Sequence, residues 1–188
     1  MHRDVQNDGR GMKLISELLE RHTAADASEA DSLARIRGLL ANAHAPFSRE
    51  HFVPGHLTAS AIVLNPGRTR TLLILHAKLN MWLQPGGHFE PGESDPSVAA
   101  AREVHEETGL VSRWPGDKPL LLDVDVHTIP ARKNEPQHSH FDLRMLLVAD
   151  GEPTAGEVSA VKWVQPGEFE AMKLDPGLQR ALKKIRFA

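Results

Sequence analysis

Three glutamates within one helical turn are the feature that most constrains how this chain can fold. If the segment around them is helical, Glu103, Glu106 and Glu107 lie at positions i, i+3 and i+4 and share one face. Like charges at these spacings cost roughly 0.2–0.5 kcal/mol per pair in an isolated helix. A hard divalent cation turns that repulsion into coordination, because Mg2+ prefers oxygen ligands. The alternative is an ordinary solvated acidic face.

The residues on both sides of these glutamates form a longer pattern. A glycine is followed after five residues by a glutamate, then by an arginine, the three glutamates, and a closing glycine and leucine. This order is similar to the signature of the Nudix hydrolases, and the matching residues are Gly87, Glu93, Arg102, Glu103, Val104, Glu106, Glu107, Gly109 and Leu110. The match departs from the family pattern once, since eight residues instead of seven separate Glu93 from Arg102.

The additional residue falls where the helix is expected to begin. Asp95 can cap that helix, and Pro96 suits the first helical position because its missing N–H costs nothing there. We therefore expect a longer loop and no rotation of the glutamates. The resemblance implies that Glu93 and Arg102 brace the loop against the helix, so these two side chains are expected to meet.

The resemblance also implies a chemistry, namely attack by water on a phosphorus atom of a diphosphate linkage. The expected cofactor is Mg2+, with Mn2+ as the alternative. The implied metal ligands are Glu103, Glu107, Glu106 and the Gly87 carbonyl. The implied catalytic group comprises Glu103, Glu106, Arg102 and Glu93, of which the last two act as the brace. Which carboxylate takes the proton stays open, and Glu106 is either a further ligand or the base.

These residues favour a metal-dependent hydrolase that cleaves a pyrophosphate linkage in a nucleoside diphosphate derivative or a nucleoside triphosphate. The alternative from another class is a Nudix-fold module that binds a nucleotide or a partner protein without turnover. The complete set of motif glutamates argues against such a degenerate binder. An isomerase of isopentenyl diphosphate on the same fold would, by resemblance, use a cysteine, and this chain has none.

The composition of the chain limits the kinds of partner that it is expected to bind. A chain of 188 residues with 40% hydrophobic content is long enough for one domain with a sizeable core. The net charge of −3 gives no basic field for a nucleic-acid backbone, which argues against polymeric DNA or RNA as the main partner. The partner that the resemblance implies is a small nucleotide or nucleoside diphosphate derivative. The absence of cysteine from the sequence excludes disulfides and a thiol nucleophile.

The sequence also predicts a cytoplasmic protein that does not enter a membrane. Residues 1–11 are polar and mixed in charge, without the apolar core of a signal peptide. No apolar run in the sequence approaches the length of a membrane span. A monomer and a homodimer both stay open.

Hydrophobic periodicity predicts two parts of the chain, an N-terminal helical segment and a domain that contains both strands and helices. The spacing of apolar residues predicts one amphipathic helix at residues 12–22 and another at residues 28–43. Together these two helices are expected to form a helical hairpin. We expect a helical extension at residues 1–45, packed on a Nudix hydrolase domain at residues 46–188. Strands are expected at 57–64, 71–76, 120–128, 141–149 and 158–164, and helices at 168–172 and 176–185. This order predicts an α+β or α/β sandwich with a mixed sheet and an N-terminal helical hairpin, and we take α+β as the fold class. The resemblance sharpens the sandwich to the Nudix-type α/β/α arrangement.

His138 and His140 are the expected substrate contacts outside the motif. They flank Ser139 just ahead of a predicted strand, so alternation directs both side chains to one face. We predict that at least one of them binds substrate and that its protonation strengthens binding. The alternatives are a metal pair and exposed loop histidines. A zinc site would need three or four ligands and the sequence shows no close third histidine, although His127 could approach if the strands pair.

Overall fold

Four α helices and eight strands are formed by residues 2–188, which the computed structural model describes, with side chains from residue 8 onward. The helices are α1 (His2–Arg21), α2 (Ala27–Asn42), α3 (Pro96–Thr108) and α4 (Pro176–Lys183). The strands are β1 (Gly55–Leu64), β2 (Thr71–His76), β3 (Met81–Leu83), β4 (Gly86–His88), β5 (Ser112–Arg113), β6 (Leu121–Ile129), β7 (His138–Ala149) and β8 (Ala160–Val164). The sequence predicts that residues 1–11 do not form a signal peptide. Most side chains of this segment lie outside the described part of the chain.

The eight described strands join one mixed sheet, as the sequence predicts. At its centre β1 runs parallel to β7, with Gly55 opposite Ser139 and Leu64 opposite Val148. The other pairings are antiparallel: β5 and β6 pair with β7, β2 and β4 pair with β1, and β3 and β8 pair with β2. Parallel neighbours require a long connection between them, and α3 lies within that connection.

Both faces of the sheet are covered, which gives the predicted α/β/α arrangement. Every residue of β1 is buried, as expected for a strand between two helical layers. Leu57 and Ala59 of β1 pack in a core that also contains side chains of α1, α2 and α3. Ile62 and Leu64 face the other way and pack with side chains of α4. The acidic helix α3 and the C-terminal helix α4 therefore lie on opposite faces.

The predicted N-terminal helices are confirmed, and α2 covers an edge of the sheet. The β6 strand pairs with β7 on one side, and its other side faces α2. The Glu29 carboxylate accepts a hydrogen bond from the Val124 backbone N–H, and the Ser32 hydroxyl accepts one from Val126, both at 3.2 Å. These contacts satisfy N–H groups that an uncovered edge strand would expose. The boundary between residues 1–45 and 46–188 stays a prediction.

Three short strands differ from the sequence-based expectation. The strands β3, β4 and β5 contain three, three and two residues, and runs this short carry no usable alternation. The helix expected at residues 168–172 is instead a pair of 3-10 turns, Pro166–Glu168 and Glu170–Met172. None of the helices in residues 2–188 combines the length and apolar content that crossing a bilayer requires.

Candidate active site

Helix α3 begins and ends as its sequence predicts. The Asp95 side chain caps the first turn by accepting a hydrogen bond from the Ser97 backbone N–H at 2.8 Å, and Pro96 is the first helical residue. Gly109 ends the helix with a φ of 70°, a left-handed conformation that glycine adopts without strain. The additional residue before Arg102 therefore lies in the loop and leaves the helical positions of the glutamates unchanged.

The predicted contact between Glu93 and Arg102 is confirmed. Arg102 donates from Nε to Glu93 Oε1 and from Nη2 to Glu93 Oε2, both at 3.0 Å. Such bidentate, charge-assisted pairs are geometrically specific. Arg102 Nη2 also donates to the His88 carbonyl at 2.9 Å, which ties β4 to α3. Burial acts to raise the pKa of Glu93, but the hydrogen bonds from Arg102 and from the Glu90 backbone N–H, together with the charge of Arg102, outweigh it and the pKa lies below its usual value.

The guanidinium group of Arg102 also contacts two of the motif glutamates. Its Nη1 donates to Glu103 Oε1 at 2.9 Å and to Glu106 Oε2 at 2.7 Å. One guanidinium thus contacts three carboxylates, Glu93 included. Since all three of its nitrogens are engaged, Arg102 has the contacts of a brace.

Glu107 lies beside β4 in a different environment. Its Oε2 accepts a hydrogen bond from the Gly86 N–H at 3.0 Å. Among the side chains that the structure describes, no basic group forms an ion pair with it. Burial raises the pKa of Glu107 to about 7, and the nearby carboxylates of Glu103 and Glu157 add to the shift. Burial likewise raises the pKa of Glu103. Burial therefore makes the ionised form of both carboxylates costly.

This environment fits a hard divalent cation. A Cβ atom at Gly87 would lie 2.5 Å from Glu103 Oε1, so glycine is required for the backbone to approach the carboxylate this closely. Carboxylate and carbonyl oxygens are the ligands that Mg2+ and Mn2+ prefer. A bound cation would offset the negative charge that burial makes costly.

The other face of the sheet carries a polar network that the sequence analysis missed. Asp142 of β7 accepts hydrogen bonds from the hydroxyls of Thr58 at 3.0 Å and Ser60 at 2.8 Å, both on β1. Arg144 donates from Nε to Asp142 at 3.1 Å. Nearby, Gln84 Oε1 is buried without a hydrogen-bond partner among the described residues. Alternation of polar and apolar residues along β1 and β7 was the signal that could have revealed this face.

A buried charge network links this face to α4 and α2. Asp123 of β6 is fully buried and accepts hydrogen bonds from Arg144 at 3.3 Å and from Arg180 at 2.7 and 2.9 Å. The Lys184 ammonium lies 2.8 Å from Asp123 and also contacts Glu29. Burial acts to raise the pKa of Glu29, but hydrogen bonds from a backbone N–H and from Lys184 lower it to about 2. The network therefore pairs its buried acids with basic side chains.

The predicted histidine pair is neither exposed nor in a loop. His138 and His140 lie in β7 on one face, as alternation predicts. His138 is 5% exposed, so the alternative of exposed loop histidines is wrong. The prediction that no third histidine lies close to this pair is also wrong, because the parallel register places His56 opposite His140. His127 lies opposite His140 on the other side, since β6 and β7 do pair.

The chain is similar to known proteins over most of its length. The model of the NUDIX domain family matches residues 54–185. A protein of Lactococcus lactis subsp. cremoris, named probable DHNTP pyrophosphohydrolase, is 35% identical over 136 residues, which are 71% of this chain and 76% of the relative. A protein of Bacillus subtilis, named putative 8-oxo-dGTP diphosphatase, is 37% identical over 113 residues, which are 59% of this chain and 67% of the relative.

Solved structures share the fold. A NUDIX family hydrolase from Clostridium perfringens aligns with a TM-score of 0.52 and 26% identity, covering 73% of this chain and 96% of that one. The NUDIX domain of Shewanella oneidensis NrtR, solved with ADP ribose, aligns with a TM-score of 0.51 and 19% identity over 80% of this chain and 98% of that one. At 19% identity, the similarity to the second structure shows a shared fold alone.

Proposed function

Because the chain belongs to the NUDIX domain family, we propose that it is a metal-dependent hydrolase that cleaves a pyrophosphate linkage in a nucleoside triphosphate or a nucleoside diphosphate derivative. The observation that carries the proposal is the pair of carboxylates on α3, Glu103 and Glu107, which are half-buried and lie against the glycine backbone of β4. The names pyrophosphohydrolase and diphosphatase of the two relatives support cleavage of the same kind of bond.

We assign the metal to the carboxylates of α3. Glu103 and Glu107 are the principal ligands, Glu106 is a further ligand or the base, and the Gly87 carbonyl is an additional donor. When bound, Mg2+ or Mn2+ shields phosphate charge and lowers the pKa of a coordinated water. Arg102 and Glu93 hold α3 against the loop, so the carboxylates keep their spacing. In the metal-free protein, the Glu107 carboxyl takes up a proton near neutral pH.

A panel of substrates tests this function. The full chain is incubated with 8-oxo-dGTP, the common nucleoside triphosphates and ADP ribose, in Mg2+, in Mn2+ and in EDTA, and the products are separated by anion-exchange chromatography. We expect at least one nucleotide to be cleaved at a pyrophosphate linkage, and cleavage to stop in EDTA. Tight nucleotide binding without cleavage would instead favour the non-catalytic binding module. Cleavage that persists in EDTA would contradict metal dependence.

The brace should be needed for activity. In Arg102→Lys the charge stays, but a single nitrogen cannot make the bidentate contact with Glu93 and also hold the His88 carbonyl. We expect kcat/KM on the best substrate to fall roughly tenfold or more, because misplaced groups at an active site cost rate steeply. The control is Arg113→Lys at an exposed position. Equal kinetics for both variants would show that α3 keeps its place without the brace.

We retain His138 and His140 as substrate-binding candidates. The double variant His138→Ala and His140→Ala is expected to raise KM roughly tenfold, about the loss of one hydrogen bond to a charged group. The expected gain from protonation is wrong for His140, because burial and neighbouring histidines lower its pKa to about 2. Protonation of His140 should therefore not lower KM between about pH 8 and about pH 6.5. The control is the exposed His44→Ala, and an unchanged KM in the double variant would remove the pair from the substrate site.

Three further expectations stay predictions. They are a cytoplasmic location, the choice between monomer and homodimer, and the exclusion of polymeric nucleic acid. Size-exclusion chromatography with light scattering would decide the second.

A further inference from the structure

Five histidine side chains of the described chain meet at one end of the sheet, on the face away from α3. They come from four strands: His56 on β1, His88 on β4, His127 on β6, and His138 and His140 on β7. The ring centroid of His56 lies 4.9 Å from that of His140 and 5.0 Å from that of His138. The ring of His88 lies 5.1 Å from His56 and 5.0 Å from His140. We refer to these five residues as the histidine cluster.

Two of these imidazoles are oriented by backbone carbonyls. His56 Nδ1 lies 3.2 Å from the His51 carbonyl oxygen, and His138 Nδ1 lies 2.8 Å from that of Pro136. Because a carbonyl oxygen only accepts hydrogen bonds, Nδ1 carries the proton in each neutral ring and Nε2 keeps its lone pair. Hydrogen bonds of this kind fix the tautomer and the ring orientation of histidines that bind metals.

The free nitrogen of His56 has no partner within the described protein. The His56 side chain is 1% exposed, and its Nε2 is buried without a hydrogen bond from any described residue. A buried polar atom left unsatisfied costs free energy, so it requires an explanation. Three ring nitrogens, one from each of His56, His138 and His140, lie within 4.8 Å of one another. A ligand shared by the three nitrogens would satisfy the buried one.

Three members of the histidine cluster are neutral near pH 7. Burial is the main cause, and it lowers the pKa of His56 and of His88 to about 4. Burial lowers the pKa of His140 further, and the other histidines contribute to that shift. Neutral imidazole is the form that binds metal ions, whereas an anion site would be served by protonated rings.

Three nitrogen donors select a class of cation. Imidazole suits Zn2+ and its first-row neighbours, while Mg2+ and Ca2+ require oxygen. In a tetrahedral zinc site, nitrogens about 2 Å from the ion lie about 3.3 Å from one another. Small side-chain rotations would bring donors that already lie within 4.8 Å to that spacing.

The histidine cluster and the α3 carboxylates lie on opposite faces of the sheet. Along β4, Gly87 pairs with Ala59, whose side chain packs in the core that contains α3 side chains. The next residue, His88, pairs with Thr58 and therefore faces the other way. Because the two groups of donors differ in chemistry and position, each can be removed while the other is measured.

We propose that His56, His138 and His140 form a binding site for Zn2+, or for a first-row divalent metal of the same class, separate from the carboxylates of α3. His88 lies beside the three as a candidate fourth donor. A bound ion joins β1 to β7 at the end where both strands begin, and so stabilises the central parallel pair. Zinc ligation by His138 and His140 is the alternative to the substrate contact retained for them above, and it does not depend on cleavage of a nucleotide by the α3 carboxylates.

Metal titration of the full chain tests the site. Zn2+ alone is added to metal-free protein and followed by calorimetry, and Co2+ serves as a coloured substitute whose visible absorption reports tetrahedral nitrogen ligation. We expect one tightly bound Zn2+ per chain, a higher melting temperature with Zn2+ than with EDTA, and an intense tetrahedral Co2+ spectrum. The same binding is expected in Glu107→Gln, in which the carboxylate site is altered.

Matched variants assign the ligands. His138→Gln and His140→Gln should each weaken Zn2+ binding at least about 100-fold, whereas the exposed His44→Gln should bind as the unaltered protein does. Circular dichroism checks that each variant folds. If removal of a buried histidine unfolds the chain, the Co2+ spectrum of the unaltered protein decides. Unchanged Zn2+ affinity in the folded histidine variants, loss of Zn2+ binding in Glu107→Gln, or an octahedral Co2+ spectrum would overturn the proposal.

Discussion

Replacing Glu107 by glutamine is expected to lower kcat/KM at saturating Mg2+ by roughly 100- to 1000-fold, the size of effect seen when one charge-stabilising group is removed from an active site. Glutamine keeps the shape of the side chain and can still accept the hydrogen bond from Gly86, but it loses the charge that would hold a cation together with Glu103. Steady-state kinetics on the best nucleotide of the panel measures the effect. Glu152→Gln, at an exposed loop position, is the control. Near-normal turnover in Glu107→Gln would place the metal elsewhere.

The same substitution should stabilise the metal-free protein above neutral pH. The folded-state pKa of Glu107, about 7, lies above the ordinary value of 4.5, so the folded protein holds this proton more tightly than the unfolded chain does. Stability is therefore lost as the pH rises from 4.5 through about 7, and the loss is complete above that range. Glutamine mimics the neutral carboxyl and avoids the loss.

Thermal melting in EDTA measures this difference. At about pH 8 the glutamine variant should melt roughly 4–8 °C higher than the unaltered protein, which corresponds to about 2 kcal/mol in a chain of this size. Near pH 4.5 the two melting temperatures should converge, because the carboxyl is then protonated in the folded state. A lower melting temperature of the variant at pH 8 would show that the Glu107 carboxylate is neutralised by a partner.

Asp123→Ala is expected to destabilise the fold by about 3–5 kcal/mol, the cost of leaving buried charges without their partner. Asp123 is fully buried, and its carboxylate lies at the meeting point of Arg144, Arg180 and Lys184. Removing it leaves three cations with fewer acids to neutralise them. In a chain of this size the melting temperature should fall by at least roughly 6 °C.

A surface ion pair provides the comparison for Asp123. Asp31 and Arg35 lie 3.9 Å apart on α2, and both are exposed. Exposed pairs of this kind contribute little, so Asp31→Ala should change stability by no more than about 0.5 kcal/mol. Chemical denaturation of both variants gives the two free energies of unfolding. Similar losses would mean that the network around Asp123 rearranges to pair its cations without the missing acid.

The acidic helix could be predicted from sequence because its determinants are local. Asp95 and Pro96 specify its start within two residues, and helical spacing alone places the three glutamates on one face. The contact between Glu93 and Arg102 was implied by the resemblance, and it survives the additional residue because a capped helix start confines the extra length to the loop. Each of these signals acts over fewer than ten residues of chain.

The opposite face of the sheet could not be predicted in this way because its residues meet only through strand register. Alternation in β7 showed that His138 and His140 share a face, but it did not show which strand lies beside them. His56 becomes their neighbour through a parallel pairing whose partners, such as Thr58 and Asp142, are 84 residues apart. No pattern within either segment encodes that register.

The parallel pairing of β1 with β7 also sets the order in which the protein can fold during synthesis. The central strand β1 leaves the ribosome long before its partner, and 84 residues at roughly 5–20 residues per second correspond to a delay of about 4–17 s. During that interval a strand that the native state buries completely has one unpaired edge. Contacts this distant in sequence also make folding slow, because a long loop must close before they form. The central pairing of the sheet therefore forms only after β7 has been made.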